Sequence, residues 1–274
     1  MTIAPEVFGY VRDLVRRESA IVLDTGKEYL VESRLTPLAR LAGTGDVNAF
    51  VATMQRRPDP VLARRVVEAL TTNETSWFRD GDPFATLRTK VLPGLAASRD
   101  QRSLRLWSAA CSSGQEAYSI AMSVLETPAV AGWDVEIIAT DLNEEMLERA
   151  RTGRYSQLEV NRGLPATSLV RHFVRDGASW RIAPQLTAAV TFRQHNLMRP
   201  FGGLGRFDVV MLRNVLIYFD LATKRDILRR VRQVLAPDGY LFLGAAEMTM
   251  GVDDSWERVP AGRSSVYQTR EEQH

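Results

Sequence analysis

The chain has 274 residues, 45% of them hydrophobic, with 35 Lys+Arg against 33 Asp+Glu; this suffices for one large domain plus a small one, and the balanced charge gives no reason to expect a nucleic-acid partner. The single Cys111 excludes an internal disulfide and a multi-thiolate metal centre, and His172, His195 and His274 stand at no ligand spacing, so no metal is expected. No apolar run approaches the roughly 20 residues of a membrane span and the N-terminus shows no basic-then-apolar signal, so the expectation is a cytoplasmic monomer without membrane insertion.

Residues 1–80 read as a small helical domain. Phe8, Val11, Leu14 and Val15 recur at helical spacing, Tyr29, Leu30, Leu38 and Leu41 do so more loosely, and Phe50, Val51 and Met54 form a third face. Asp46 or Asn48 can cap that third helix, and Pro58-Asp59-Pro60 separates it from a fourth carrying Val61, Leu62, Val66, Val67 and Leu70. Residues 81–100 hold one more amphipathic segment, Phe84 to Leu95, expected to link the helical domain to the rest.

From residue 101 to 274 the pattern becomes apolar runs alternating with helical stretches. Strands are expected at Leu104 to Ala110, Val135 to Thr140, Val190 to Gln194, Phe207 to Leu212 and Tyr240 to Gly244, with a late strand from Ser264 to Thr269 at an edge or in a hairpin. Helices are expected near Glu116 to Leu125, Asn143 to Arg151 and Leu221 to Leu235, the last stopped by Pro237-Asp238-Gly239. Such alternation predicts an α/β domain with a doubly wound, mostly parallel, Rossmann-like sheet. The segment 155–189 is too long for an ordinary connection and reads as an inserted subdomain: a helical piece around Ser168 to Phe173, then a hairpin turning at Asp176-Gly177 before Trp180-Arg181-Ile182.

Ligands of doubly wound sheets bind at the carboxyl ends of the strands, near the topological switch point. After the first strand, Ser112-Ser113-Gly114 lets backbone approach a ligand, but one glycine is too few for a dinucleotide fingerprint. Asp141 ends the second strand where a carboxylate meets ribose hydroxyls, and since Asn143 looks like the following helix cap, Asp141 reads as spare for a ligand. Asn196 and Leu197 follow the next strand as a candidate pair around a base, although Asn196 can equally cap a turn before Pro200. Arg213-Asn214 end the apolar strand Phe207 to Leu212, an expensive place for two polar groups unless something satisfies them.

Three blocks carry a specific resemblance: Thr71-Thr72-Asn73-Glu74-Thr75-Ser76-Trp77-Phe78-Arg79-Asp80, then Leu104 through Ser108-Ala109-Ala110-Cys111-Ser112-Ser113-Gly114-Gln115-Glu116-Ala117-Tyr118-Ser119, and Arg213-Asn214-Val215-Leu216-Ile217-Tyr218-Phe219. In this order and spacing the chain resembles the CheR family of chemotaxis receptor methyltransferases over almost its whole length. The resemblance implies an S-adenosylmethionine methyltransferase domain, with an inserted small antiparallel β-subdomain, behind an all-helical domain. It implies transfer of the methyl group of S-adenosylmethionine to receptor glutamates, leaving S-adenosylhomocysteine. It also implies that Asn73, Thr75, Arg79, Glu116, Asp141, Asn196, Leu197, Arg213 and Asn214 line the cofactor site, and that Arg79 and Tyr218 face the reacting centre.

The residue types suit that chemistry. A cofactor without phosphate tolerates the acidic Glu116 near its ammonium group; the alternative is that Glu116 merely decorates the first turn of a helix, where an acid is favoured anyway. Family members usually have Gly-Glu-Glu-Pro where this chain has Gly114-Gln115-Glu116-Ala117, which retains the second acid and loses some loop rigidity. A substrate glutamate, with an unperturbed pKa near about 4.3, needs no general base; it needs orientation, which is worth roughly 7 to 11 kcal/mol. Arg79 has a fork suited to a carboxylate, unless it pairs with Asp80 or Glu74 at the surface, and Tyr218 has a hydroxyl on a rigid ring, unless it is core.

Base-directed methyl transfer is poorly supported: Arg213-Asn214-Val215-Leu216 occupies the position of an Asn-Pro-Pro-Tyr-type loop, and Cys111 follows Ala110 rather than a proline. A non-catalytic S-adenosylmethionine-sensing module of the same fold is the alternative function. The expected partner is the cytoplasmic helical bundle of a methyl-accepting receptor, met through Arg56, Arg57, Arg64 and Arg65 or Arg12, Arg16 and Arg17, although residues 1–90 otherwise carry an ordinary mixed-charge surface. Some family members also capture a receptor's C-terminal pentapeptide as an added strand on the inserted hairpin. Those members carry a longer, glycine-richer loop than Arg175 to Arg181, so tether binding is expected to be absent or weak here.

Overall fold

The computed structural model describes residues 3–261 and 264–270; His274 lies outside them. The chain divides into two units, one comprising residues up to Thr72 together with Tyr218–Thr223, the other Asn73–Ile217 and Lys224 onward.

In the first unit, α1 (Pro5–Ser19) starts on a proline, which lacks only an N–H the helix start would leave unpaired, and buries Phe8, Val11, Leu14 and Val15. Helix α2 (Glu28–Leu41) buries Val31, Leu35 and Ala39. This stripe corrects the face expected for α2, since Tyr29 and Leu41 are 71% and 82% exposed; residues four apart keep one face of a 3.6-residue helix, and the looser set does not. Helix α3 (Val47–Arg56) is capped by Asp46, which accepts the Ala49 N–H at 2.8 Å, whereas Asn48 accepts the N–H of Ala4. Asp59 caps α4 (Pro60–Leu70), whose Val66, Val67 and Leu70 are buried.

The second unit opens with a continuous helical run, α5 (Asp82–Thr86), a π-turn over Leu87–Val91 and α6 (Leu92–Ser98). The π-turn has a local cause: Pro93 has no N–H to give, and the Leu92 N–H reaches back to the Leu87 carbonyl. Trp77, Phe84, Leu87, Leu92 and Leu95 share one core with Leu104, Leu106, Tyr118 and Ile137. The segment expected as a linker is therefore a layer of the sheet domain, and the boundary falls at Thr72/Asn73 rather than after residue 80.

Then follow β1 (Ser103–Ala109), α7 (Gln115–Leu125), β2 (Asp134–Asp141) and α8 (Glu144–Thr152). The insert comprises β3 (Arg154–Ser156), α9 (Gln157–Val160), α10 (Ala166–His172), β4 (Phe173–Asp176), β5 (Ser179–Ile182) and α11 (Pro184–Ala188). The chain continues through β6 (Val190–Gln194), β7 (Phe207–Leu212), α12 (Leu221–Val234), β8 (Leu235–Leu243), β9 (Trp256–Arg258) and β10 (Ser265–Thr269). The large sheet has the order β6-β2-β1-β7-β8-β10-β9, parallel from β6 to β8 and antiparallel at β10 and β9; the small one has the order β3-β5-β4. Winding proceeds from β1 through β2 to β6 on one side and through β7 to β8 on the other, so the switch point is the crevice at the carboxyl ends of β1 and β7.

Two expectations need correction. Pro237-Asp238-Gly239 does not separate helix from strand: β8 begins at Leu235, directly after α12, and the Pro-Asp-Gly step bulges out of it between the pairs Phe207–Leu235 and Val209–Tyr240. The late strand β10 pairs antiparallel with the preceding β9, as expected of a hairpin, but it lies between β8 and the short β9 rather than at the edge.

Candidate functional site

The turn after β1 is built from strained backbone. Ala110, Ser112 and Gly114 have φ of 60°, 50° and 91°, and position 114 has no space for a side chain, since an added Cβ would lie 2.8 Å from Ala150 Cβ. The turn is stitched to β2: Cys111 N–H donates to the Thr140 carbonyl at 2.9 Å, and Ser112 N–H donates to Asp141 Oδ2 at 2.7 Å. Asp141 Oδ1 accepts the Asn143 N–H at 2.9 Å, and the side chain is 7% exposed. Asp141 is thus not spare. It fixes the turn after β1, while each oxygen retains a lone pair for a diol. Burial pushes its pKa up, opposed by those backbone N–H bonds. Asn143 caps α8 through the Met146 N–H, as its position suggested.

Glu116, in the first turn of α7, is 9% exposed. Its Oε1 accepts the Ser108 hydroxyl at 2.8 Å and its Oε2 accepts Arg213 Nη1 at 2.9 Å. Burial raises its pKa, while Arg213, Ser108 and Arg79 act to hold it ionised. The Arg213 side chain is fully enclosed: Nη2 donates to Asp80 Oδ2 at 2.8 Å and to the Arg79 carbonyl at 2.7 Å, and the guanidinium lies 5.5 Å from the centre of the Phe84 ring. The cost of a cation at the end of β7 is met by two carboxylates. In the same step Arg213 fastens the Asn73–Asp80 loop to α7.

The remaining candidates have the following partners. The Asn73 carbonyl accepts the Ser112 hydroxyl at 2.9 Å, and Thr75 is half-buried. Arg79 donates to the Glu74 main-chain carbonyl at 2.9 Å, while the Glu74 carboxylate pairs with Arg162. His195 N–H donates to the Asp141 carbonyl, which sets Asn196 and the buried Leu197 beside it; Asn196 Oδ1 accepts the Met198 N–H at 2.9 Å, so it also forms the turn before Pro200. Asn214 is left-handed, φ 58°. Tyr218 belongs to the helical unit, where its carbonyl accepts the Val22 N–H at 3.0 Å.

Glu247 escaped the sequence reading. It is 5% exposed, and its carboxylate accepts the N–H groups of Asn214 and Gly244 at 2.7 Å each and of Ile217 at 3.3 Å, tying the end of β8 to the segment after β7. The available signal was weak: an acid three residues after the glycine that ends a buried strand. Gln115, which replaces an acid of the family pattern, is buried and accepts the Ser113 hydroxyl at 2.9 Å, so an uncharged partner holds the turn internally.

The family model described as "CheR methyltransferase, SAM binding domain" matches residues 73–264, and the one described as "CheR methyltransferase, all-alpha domain" matches residues 6–71. Chemotaxis protein methyltransferase Cher2 of Pseudomonas putida is 41% identical over 268 residues, covering 96% of this chain and 98% of the relative. Chemotaxis protein methyltransferase 1 of Pseudomonas aeruginosa is 41% identical over 277 residues, covering 98% and 100%, and chemotaxis protein methyltransferase 1 of Vibrio cholerae is 39% identical over 279 residues, covering 98% and 99%. The cofactor of such a domain is S-adenosylmethionine, and the crevice fits it: a glycine turn without room for a Cβ, a carboxylate at the end of β2 with lone pairs left for a ribose, and a buried acid at the start of α7. The chain belongs to the CheR methyltransferase family.

Proposed function

We propose that this protein transfers the methyl group of S-adenosylmethionine to glutamate side-chain carboxylates of a methyl-accepting chemotaxis or related signalling receptor. A carboxylate oxygen forms the new C–O bond as the methyl C–S bond breaks and its electron pair returns to sulfur, giving a methyl ester and S-adenosylhomocysteine with no proton to move. The observation that supports this best is the enclosed Arg213 network, which fixes the Arg79-bearing loop beside Glu116. In this reading Asn73, Thr75, Glu116, Asp141, Asn196, Leu197, Arg213 and Asn214 form the cofactor site. Arg79 orients the incoming carboxylate through its planar fork, and the Tyr218 hydroxyl completes the geometry. The names of the relatives support a chemotaxis substrate. Among the described residues no helix is long and apolar enough to cross a membrane, so contact with receptor arrays would come through the receptor's helical bundle.

The test is incubation with methyl-labelled cofactor and membranes carrying candidate receptors. Label in a receptor band that mild alkali releases as methanol is the expected result. Alkali-stable label, or none in the presence of tight cofactor binding, would replace the reading by amine methylation or by the non-catalytic sensing module.

A further inference from the structure

The inserted subdomain touches both loops that frame the cofactor site. Tyr155, in the middle of β3, is 2% exposed and its hydroxyl donates to the Ser113 carbonyl at 2.8 Å. Burial pushes its phenol pKa well up, so the group stays a donor. The next residue of that turn leaves room for the same atom only because it is a glycine: a Cβ at Gly114 would stand 3.2 Å from Tyr155 Oη. The Tyr155 ring meets Trp77 edge-on at 4.8 Å, and Phe173 of β4 meets it edge-on at 5.2 Å. The backbone of Trp77 is held as well, because its N–H donates to the Arg162 carbonyl at 3.0 Å and its carbonyl lies where any Cβ at Gly163 would be, 2.2 Å away. A β-hairpin serving only to receive a partner needs an apolar underside; it does not need hydrogen bonds into the turn after β1.

We propose that Tyr155 is a positioning residue for S-adenosylmethionine: β3 of the insert sets the position of the Ser112–Gly114 turn, while the same subdomain holds Trp77 and with it the Asn73–Asp80 loop. Cofactor binding and closure of the subdomain onto the sheet are then one coupled equilibrium, and the coupling is reciprocal. This rests on the reading above that the cofactor lies over that turn against Asp141.

Tyr118 supplies a matched control. It is also fully buried, and its hydroxyl donates to a different main-chain carbonyl, that of Ala150, at 2.8 Å. Titration calorimetry with S-adenosylhomocysteine should show Tyr155→Phe weakening binding about fivefold, the size of one hydrogen bond, and Tyr118→Phe less than about twofold. In the wild-type protein the same ligand should slow hydrogen exchange across β3 to β5 as well as in the turn, a readout that needs no variant to fold. Unchanged affinity in folded Tyr155→Phe alongside a weakened Asp141→Ala, or exchange in β3 to β5 that ignores the ligand, overturns the inference alone. Unchanged affinity in both Tyr155→Phe and Asp141→Ala overturns the underlying placement of the cofactor.

Discussion

Asp141 accepts backbone N–H groups of Ser112 and Asn143, and in the proposed function its remaining lone pairs receive two ribose hydroxyls. Asp141→Ala should weaken S-adenosylhomocysteine at least tenfold, about 1.4 kcal/mol, by calorimetry; an unchanged constant in folded protein would remove it from the site. Arg79→Lys keeps the charge and loses the fork, and Tyr218→Phe keeps the ring and loses the hydroxyl. Both should lower turnover far more than they weaken cofactor binding. Glu247 is a different kind of residue, with three backbone donors converging on it. Glu247→Gln turns an NH2 toward one of those donors and should cost roughly 1 to 3 kcal/mol in denaturant unfolding, the cost of leaving a buried donor unsatisfied. The strand ends were legible as chemistry because a polar residue after an apolar run is anomalous, as Arg213 shows. Glu247 lies in a loop, where an acid is unremarkable until its neighbours are known.

At the scale of elements, the hairpin β4–β5 was readable because Asp176-Gly177 sits between two short β-prone runs, and Gly177 does take a positive φ of 61°. Strands β3 and β9, three residues each, show no periodicity and exist only because a partner strand pairs with them. The turn of the hairpin is short, with two residues between β4 and β5. A receptor-tail pentapeptide of the Asn-Trp-Glu-Thr-Phe type should therefore show no saturable binding at low-micromolar concentration when titrated against the pure protein. Saturable low-micromolar binding would return the hairpin to a tethering role.

The response of the whole molecule to pH sums groups of opposite sign. Burial, then the proximity of Arg230, lowers the pKa of His195, so the folded state binds fewer protons than the unfolded one below about pH 6.5, and stability falls as the solution is acidified. Burial raises Glu116 and Asp141, so in the window just above the ordinary carboxyl pKa, about 4, the folded state binds more protons and part of the loss is offset. Asp226 and Asp238 are lowered by Arg229 and Arg99, and their contribution disappears only as pH falls below about 4. Denaturant unfolding at pH 7.5 and 5.5 should show a loss on acidification that is smaller in His195→Gln. An equal loss in both proteins would mean that other groups set the acid limb.

The sequence by itself determined the helical and α/β parts, the five parallel strands and the residues at their ends, because hydrophobic period and the placement of polar residues after apolar runs are local properties. Only the tertiary structure decided that Asn73–Ser98 belongs to the sheet domain, that Asp141 and Glu116 are occupied in holding the turn and Arg213, and that the insert packs its Tyr155 and Phe173 on Trp77. Those facts rest on partners far apart in the chain, Glu116 and Arg213 being separated by 97 positions. Which of several plausible partners a buried polar group takes is settled by packing, since each must be satisfied once water is excluded.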